Sequence, residues 1–135
     1  MLASRPRAAF SYEETILRRD MELVRTILLT VADASGAVDG NALTDELHDL
    51  QAVGYHVEMM RDAGLVEATI QKEWGGTYVV VRVGPLTWEG NDFLDAVAND
   101  TVWKKVKTRI AQLAGNATFE ITKALAVKYL GEMLL

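Results

Sequence analysis

Tyr55-His56-Val57-Glu58-Met59-Met60-Arg61-Asp62-Ala63-Gly64-Leu65-Val66 reads as the end of a helix that stops at a glycine and turns straight into a strand. Val53, Val57 and Met60 recur at spacings of four and three, which places them on one helical face. Gly64 supplies the left-handed residue that closes a helix C-terminus, and Leu65 and Val66 open a run rich in β-forming residues. A helix feeding a strand in this way predicts an α+β fold, and the neighbouring segments are read outward from it.

Downstream, Leu65 to Trp74 and Thr77 to Val83 flank Gly75-Gly76, a link of the kind that tight hairpin turns require. With those glycines as the loop, Trp74 faces Thr77, Lys72 faces Val79 and Ile70 faces Val81; on the other face Glu73 meets Tyr78, Gln71 meets Val80 and Thr69 meets Arg82. Gly84-Pro85 is expected to break the second strand. Thr87 then caps a helix carrying Trp88, Phe93, Leu94 and Val97. Thr101 is placed to cap a further helix through Val102, Val106, Ile110 and Leu113, stopping at Gly115, and Thr118 to cap a last one. Trp88 and Trp103, at helix starts, are expected in the core.

Upstream, Leu50, Val53, Val57 and Met60 form the helix that ends at Gly64. Val38 to Leu50 reads either as a short helix capped by Thr44, the preferred reading, or as a strand over Ala42 to Leu47. Before it, Leu17, Met21, Val24, Leu28 and Val31 give an amphipathic helix running from Tyr12 or Asp20 to Asp33, with Ser11 and Glu14 in the form of a capping box.

At 135 residues, 50% hydrophobic and 24% charged, the chain has the composition of an ordinary soluble domain. It contains no Cys, so neither a disulfide framework nor a thiolate metal or redox site is available. The apolar runs are too short to cross a bilayer, and a cytoplasmic protein is expected. The net charge is −5, and it is segregated: acids dominate from Asp33 to Glu73, whereas Lys104, Lys105, Lys107, Arg109, Lys123 and Lys128 crowd the C-terminal third.

Helix, short element, helix ending in Ala-Gly-Leu-Val, hairpin, then Leu-Thr-Trp-Glu-Gly opening a helix resembles the order of winged-helix domains over roughly Asp20 to Ala98. His56 to Val66 and Leu86 to Gly90 are similar to strings in bacterial regulators of the arsenic-sensor and multiple-antibiotic-resistance type. A closer resemblance, carried by Arg19–Arg25, Tyr55–Val57, Leu86–Ala96 and Asp100–Lys107, is to domain of unknown function 2513, a bacterial and prophage family. That family's pattern starts near Arg19, and Asn91 stands where His is more usual. The resemblance implies a winged helix-turn-helix with a two-stranded wing and additional N- and C-terminal helices. Its organisation would be a partly flexible extension over residues 1–18, the winged-helix domain over 19–98, and helices over 99–135 packed on that domain.

For function, the winged-helix resemblance implies double-stranded DNA binding in bacterial or prophage regulation. Gln51, Ala52 and Tyr55 of the recognition helix would enter a major groove beside Asp49, while Lys72, Trp74, Tyr78 and Arg82 serve as wing contacts. Gln51 can pair with adenine and Tyr55 with a phosphate. Against this stand Asp45, Glu46, Asp49, Glu58 and Asp62 on the same surface, which repel a polyanion. The alternative is a protein-interaction module whose acidic face docks a partner. No enzymatic activity, cofactor or metal is expected: His48 with Asp45 and Asp49 reads as a solvated helix face, and His56 as a helix residue held by a backbone carbonyl. Leu17, Val24, Leu28 and Val31, with Leu125, Tyr129, Met133 and Leu134, suggest a homodimer through the terminal helices.

Overall fold

The computed structural model describes residues 18–113 and 118–135. Helix α1, Met21–Asp33, starts where the Asp20 carboxylate accepts the N–H groups of Glu22 and Leu23. Met21, Leu23, Val24, Ile27, Leu28 and Val31 are all buried, and each such side chain stabilises by about 1.5–3 kcal/mol. Val24, Leu28 and Val31 therefore form the domain's own core and are closed to a second copy. The Leu17 and Ser11 expectations, and nearly all of the 1–18 extension, lie outside the described residues.

The segment after α1 is neither the short helix nor the Ala42–Leu47 strand. Val38–Asp39 forms a two-residue strand, β1, followed by a 3-10 helix over Gly40–Leu43. Asp39 sets this up, accepting the N–H of Asn41 at 2.9 Å. A second local bond set, from the N–H groups of Leu47 and His48 to the Asp45 carboxylate, each 2.8 Å, folds the approach to the next helix. Short acceptors competing for the backbone outweigh the leucine spacing here.

Helix α2, Leu50–Asp62, is capped by Asp49 and ends at the glycine that the opening stretch marks. Gly64 lies at φ 81°, its N–H bonded to the Arg61 carbonyl and the Leu65 N–H to the Met60 carbonyl, both 2.9 Å. This is the double bond of a Schellman closure, with Leu65 buried beyond it. Strands β2, Val66–Lys72, and β3, Tyr78–Leu86, then form the hairpin.

The antiparallel sheet has three strands in the order β1-β3-β2, not two, because Val38 and Asp39 pair with Val83 and Arg82. Pairings Thr69–Arg82, Ile70–Val81 and Gln71–Val80 follow the expected register. Nearer the tip the register slips, and Lys72 opposes Tyr78. The Glu73 carbonyl accepts the Gly76 N–H, so the turn holds Trp74 as well as the two glycines. Gly84-Pro85 does not end β3, which continues to Leu86 and pairs there with Val66 across a bulge.

Three helices complete the fold. Helix α3, Trp88–Val97, is capped by Thr87 as its spacing predicts. Helix α4, Asp100–Gln112, is capped by Asn99 rather than Thr101, and α5, Phe119–Leu134, by Thr118. Phe93, Val97, Trp103, Val106 and Ala126 join α1, α2 and the sheet in one buried cluster. Trp103 is in the core as expected, but Trp88 is 78% exposed. Among the described residues, no helix is long and apolar enough to cross a membrane.

Candidate interaction surface

The hairpin runs back along α2, so its tip and the start of α2 lie at one end of the domain. Gln51 makes the tie. Its Nε2 donates to the Tyr78 carbonyl at 2.9 Å, and its Oε1 accepts the Tyr78 N–H at 2.7 Å. A side-chain amide thus fills the edge of β3 that the two-residue β1 leaves open. Tyr78 packs so closely that a Cβ on Gly54 would stand 2.5 Å from its ring.

One turn further on, Glu58 gathers the polar groups of the hairpin. It accepts the Tyr78 hydroxyl, takes Lys72 Nζ on both oxygens at 3.1 and 3.2 Å, and has Arg61 at 3.6 Å. The Tyr78 bond, then Lys72, hold the Glu58 carboxyl below its ordinary value. Burial and then Glu58 push Tyr78 well above its own, so the phenol remains a donor.

The seven expected DNA contacts are therefore placed unequally. Ala52 is 1% exposed and faces the core. Gln51, Lys72 and Tyr78 are engaged within the domain, and Tyr55 is half-buried with its ring edge-on to His56. Trp74 is fully exposed at the tip, and Arg82 is exposed opposite Asp39. Sequence reasoning overlooked Leu47, 84% exposed in the loop that leads into α2. Asp45, Glu46 and Asp49 surround it in sequence, all exposed, and Glu73 flanks Trp74. Its signal was Asp45 standing two residues ahead, which turns the backbone and takes Leu47 out of any helical stripe.

His48 and His56 converge on Asp20. His48 is not on a helix with Asp45 and Asp49; its ring nitrogens meet Asp45 and Asp20 carboxylates, each at 3.0 Å. Burial opposes its charge, but those bonds outweigh it and hold the imidazole above its ordinary value. His56 is buried, donates from Nδ1 to the Ala52 carbonyl at 2.7 Å, and accepts the Asp20 N–H at Nε2 at 2.8 Å. Burial pushes it below its ordinary value.

The stretches that carry the family resemblance meet one another in space. Arg25 donates to the carbonyls of Val97 and Ala98 and to Asp100, while Glu22 takes the Trp103 indole N–H and Lys107. Thr87 donates through its N–H to the Leu65 carbonyl and through its hydroxyl to the Gly64 carbonyl. A Cβ on Gly90 would stand 1.9 Å from the Leu65 oxygen. Glu22, Arg25, Thr87 and Gly90 thus stitch helix ends together.

The family described as "Hypothetical protein (DUF2513)" matches residues 18–117. A relative from Haemophilus influenzae, described as an uncharacterized protein, is 32% identical over 120 residues, covering 87% of this chain and 99% of the relative. No solved structure matches.

Proposed function

The chain belongs to the DUF2513 family, and on that footing we propose that it is a winged-helix scaffold that docks a basic partner protein through the acidic end carrying Leu47 and Trp74. The scaffold reading is supported by the order α1, short strand, 3-10 turn, α2, hairpin, with β1 added to the outer edge of β3. The 3-10 turn stands where a second helix would complete the helix-turn-helix.

The observation that carries the docking reading is the pairing of exposed apolar anchors with carboxylates. Trp74 and Leu47 are the apolar groups exposed at the hairpin tip and on the approach to α2, and Asp45, Glu46, Asp49 and Glu73 adjoin them in sequence. Large apolar side chains encircled by charge form the centre and rim of protein interfaces. A duplex carries one negative charge per ~1.7 Å of axis, and two of the cations that would answer it here, Lys72 and Arg61, are already held by Glu58, while the third, Arg82, stands exposed opposite Asp39. The role requires neither catalysis nor a cofactor.

Selection from a mixed pool of duplex DNA at low salt separates this reading from operator binding. The protein used carries Lys104→Gln, Lys105→Gln and Arg109→Gln to remove the C-terminal cations. No sequence is enriched on the docking account. An enriched site that is lost on Gln51→Ala/Tyr55→Ala, in a protein still folded, contradicts it. The homodimer proposal now rests on α5 alone, where Val127, Met133 and Leu134 are exposed; light scattering showing a strict monomer at high concentration removes it.

A further inference from the structure

We propose that a groove between α4 and α5 binds single-stranded nucleic acid, with backbone phosphates on Lys104, Lys105 and Arg109 and a base against Tyr129. The groove has a volume of about 370 Å³ and is lined by Lys104, Lys105, Thr108, Arg109 and Gln112 of α4 and by Tyr129 of α5. Lys104, Lys105, Arg109 and Gln112 offer N–H donors, the Thr108 hydroxyl donates to the Lys104 carbonyl at 3.0 Å, and none of these α4 side chains is a carboxylate. Successive turns of α4 repeat these donors at a rise of roughly 6 Å, so they form a ladder along one wall.

These cations are not committed elsewhere. Among the described residues, no carboxylate lies within 4.0 Å of Lys104, Lys105 or Arg109, whereas Lys107 on the adjoining face is paired with Glu22 at 2.8 Å. Arg109 Nη1 donates to Gln112 Oε1 at 3.0 Å, which steadies the guanidinium on the wall. The contrast with the rest of the molecule is sharp: residues 99–135 carry Lys104, Lys105, Lys107, Arg109, Lys123 and Lys128 against Asp100, Glu120 and Glu132, in a chain of net charge −5.

Charge complementarity selects a polyanion, and Tyr129 selects one with an aromatic face. The ring is half-buried among core side chains, with Lys128 Nζ 5.8 Å from its centroid. A cationic groove beside a stacking ring is the arrangement that holds single strands without sequence preference. A duplex has its bases stacked inward and offers the ring no free base face. This surface is independent of the Trp74 end, so either reading can fail alone.

Fluorescence anisotropy with labelled oligo(dT) tests it on the full chain. Engaging three phosphates predicts an affinity that falls about 20-fold between roughly 50 and 200 mM salt. The Lys104→Gln/Lys105→Gln/Arg109→Gln variant should lose most of the binding and that salt dependence. Tyr129→Leu should weaken binding by about tenfold, and Tyr129→Phe should restore it. Unchanged affinity in the charge variant, equal binding of the matching duplex or of inorganic polyphosphate, or no binding at low salt by a folded protein overturns the proposal. The charge variant alters exposed side chains, so it remains decisive even where Tyr129→Leu lowers the melting temperature.

Discussion

Gln51 has the chemistry to read adenine, and its hydrogen bonds go to a residue 27 positions away in sequence. No local pattern announces such a partner, which is why the residue is legible as polar and half-exposed but not as engaged. Truncating it leaves the Tyr78 N–H and carbonyl unanswered, so Gln51→Ala should destabilise by about 1–3 kcal/mol in chemical denaturation. A neutral result would free the side chain for recognition. Gly90 is more severe: alanine there meets the Leu65 carbonyl oxygen, and a loss of about 3 kcal/mol or more is expected. The two histidines oppose each other in pH. His56 sits below its ordinary value of 6.5, so the unfolded chain takes up the proton more readily and stability falls as pH drops below 6.5. His48 sits above the same value, so its stabilisation is complete below 6.5 and is lost as pH rises through the folded value. Removing His48 by His48→Gln should therefore steepen the loss of stability between about pH 7.5 and 5.5. Melting curves that stay parallel to those of the unsubstituted protein across that range would refute the balance.

Elements were legible wherever a cap and a period agreed. The Gly64 closure, the Thr87 and Thr118 caps and the middle of the hairpin register all follow from local chemistry that tertiary packing reinforces. Between Val38 and Leu50 they disagreed. Leu43, Leu47 and Leu50 keep a helical spacing, yet Asp39 and Asp45 capture the backbone N–H groups that a helix needs. Thr101 and Asn99 show the same competition on a smaller scale, since both are good capping residues and only the side chain of Asn99 reaches the Val102 N–H, at 3.0 Å. Asn99→Ala should destabilise by about 1 kcal/mol and Thr101→Ala by a few tenths at most; the reverse order would restore the cap to Thr101. The hairpin slipped near its tip because turn length is decided by backbone bonds at Glu73, and two glycines after a tryptophan fit either loop.

Across the whole molecule, long-range polar bonds lie between elements and hold them, as Arg25 does for α1, α3 and α4 and Thr87 for the α2–β2 junction. On the surface, charge divides the chain. The acidic, tryptophan-bearing end was legible from composition; that its Lys72 is internally neutralised was not, because Glu58 collects it across 14 positions of sequence. If Trp74 anchors an interface, Trp74→Ala should weaken it by about 2 kcal/mol, near 30-fold in affinity. The most direct test places a photo-crosslinking side chain at Thr77, exposed beside the tip, in cells that express the protein. A protein adduct that disappears both in Leu47→Ser/Trp74→Ala and in Asp45→Asn/Glu46→Gln/Asp49→Asn is the predicted result. A DNA adduct, or a protein adduct indifferent to both sets of changes, would contradict the account.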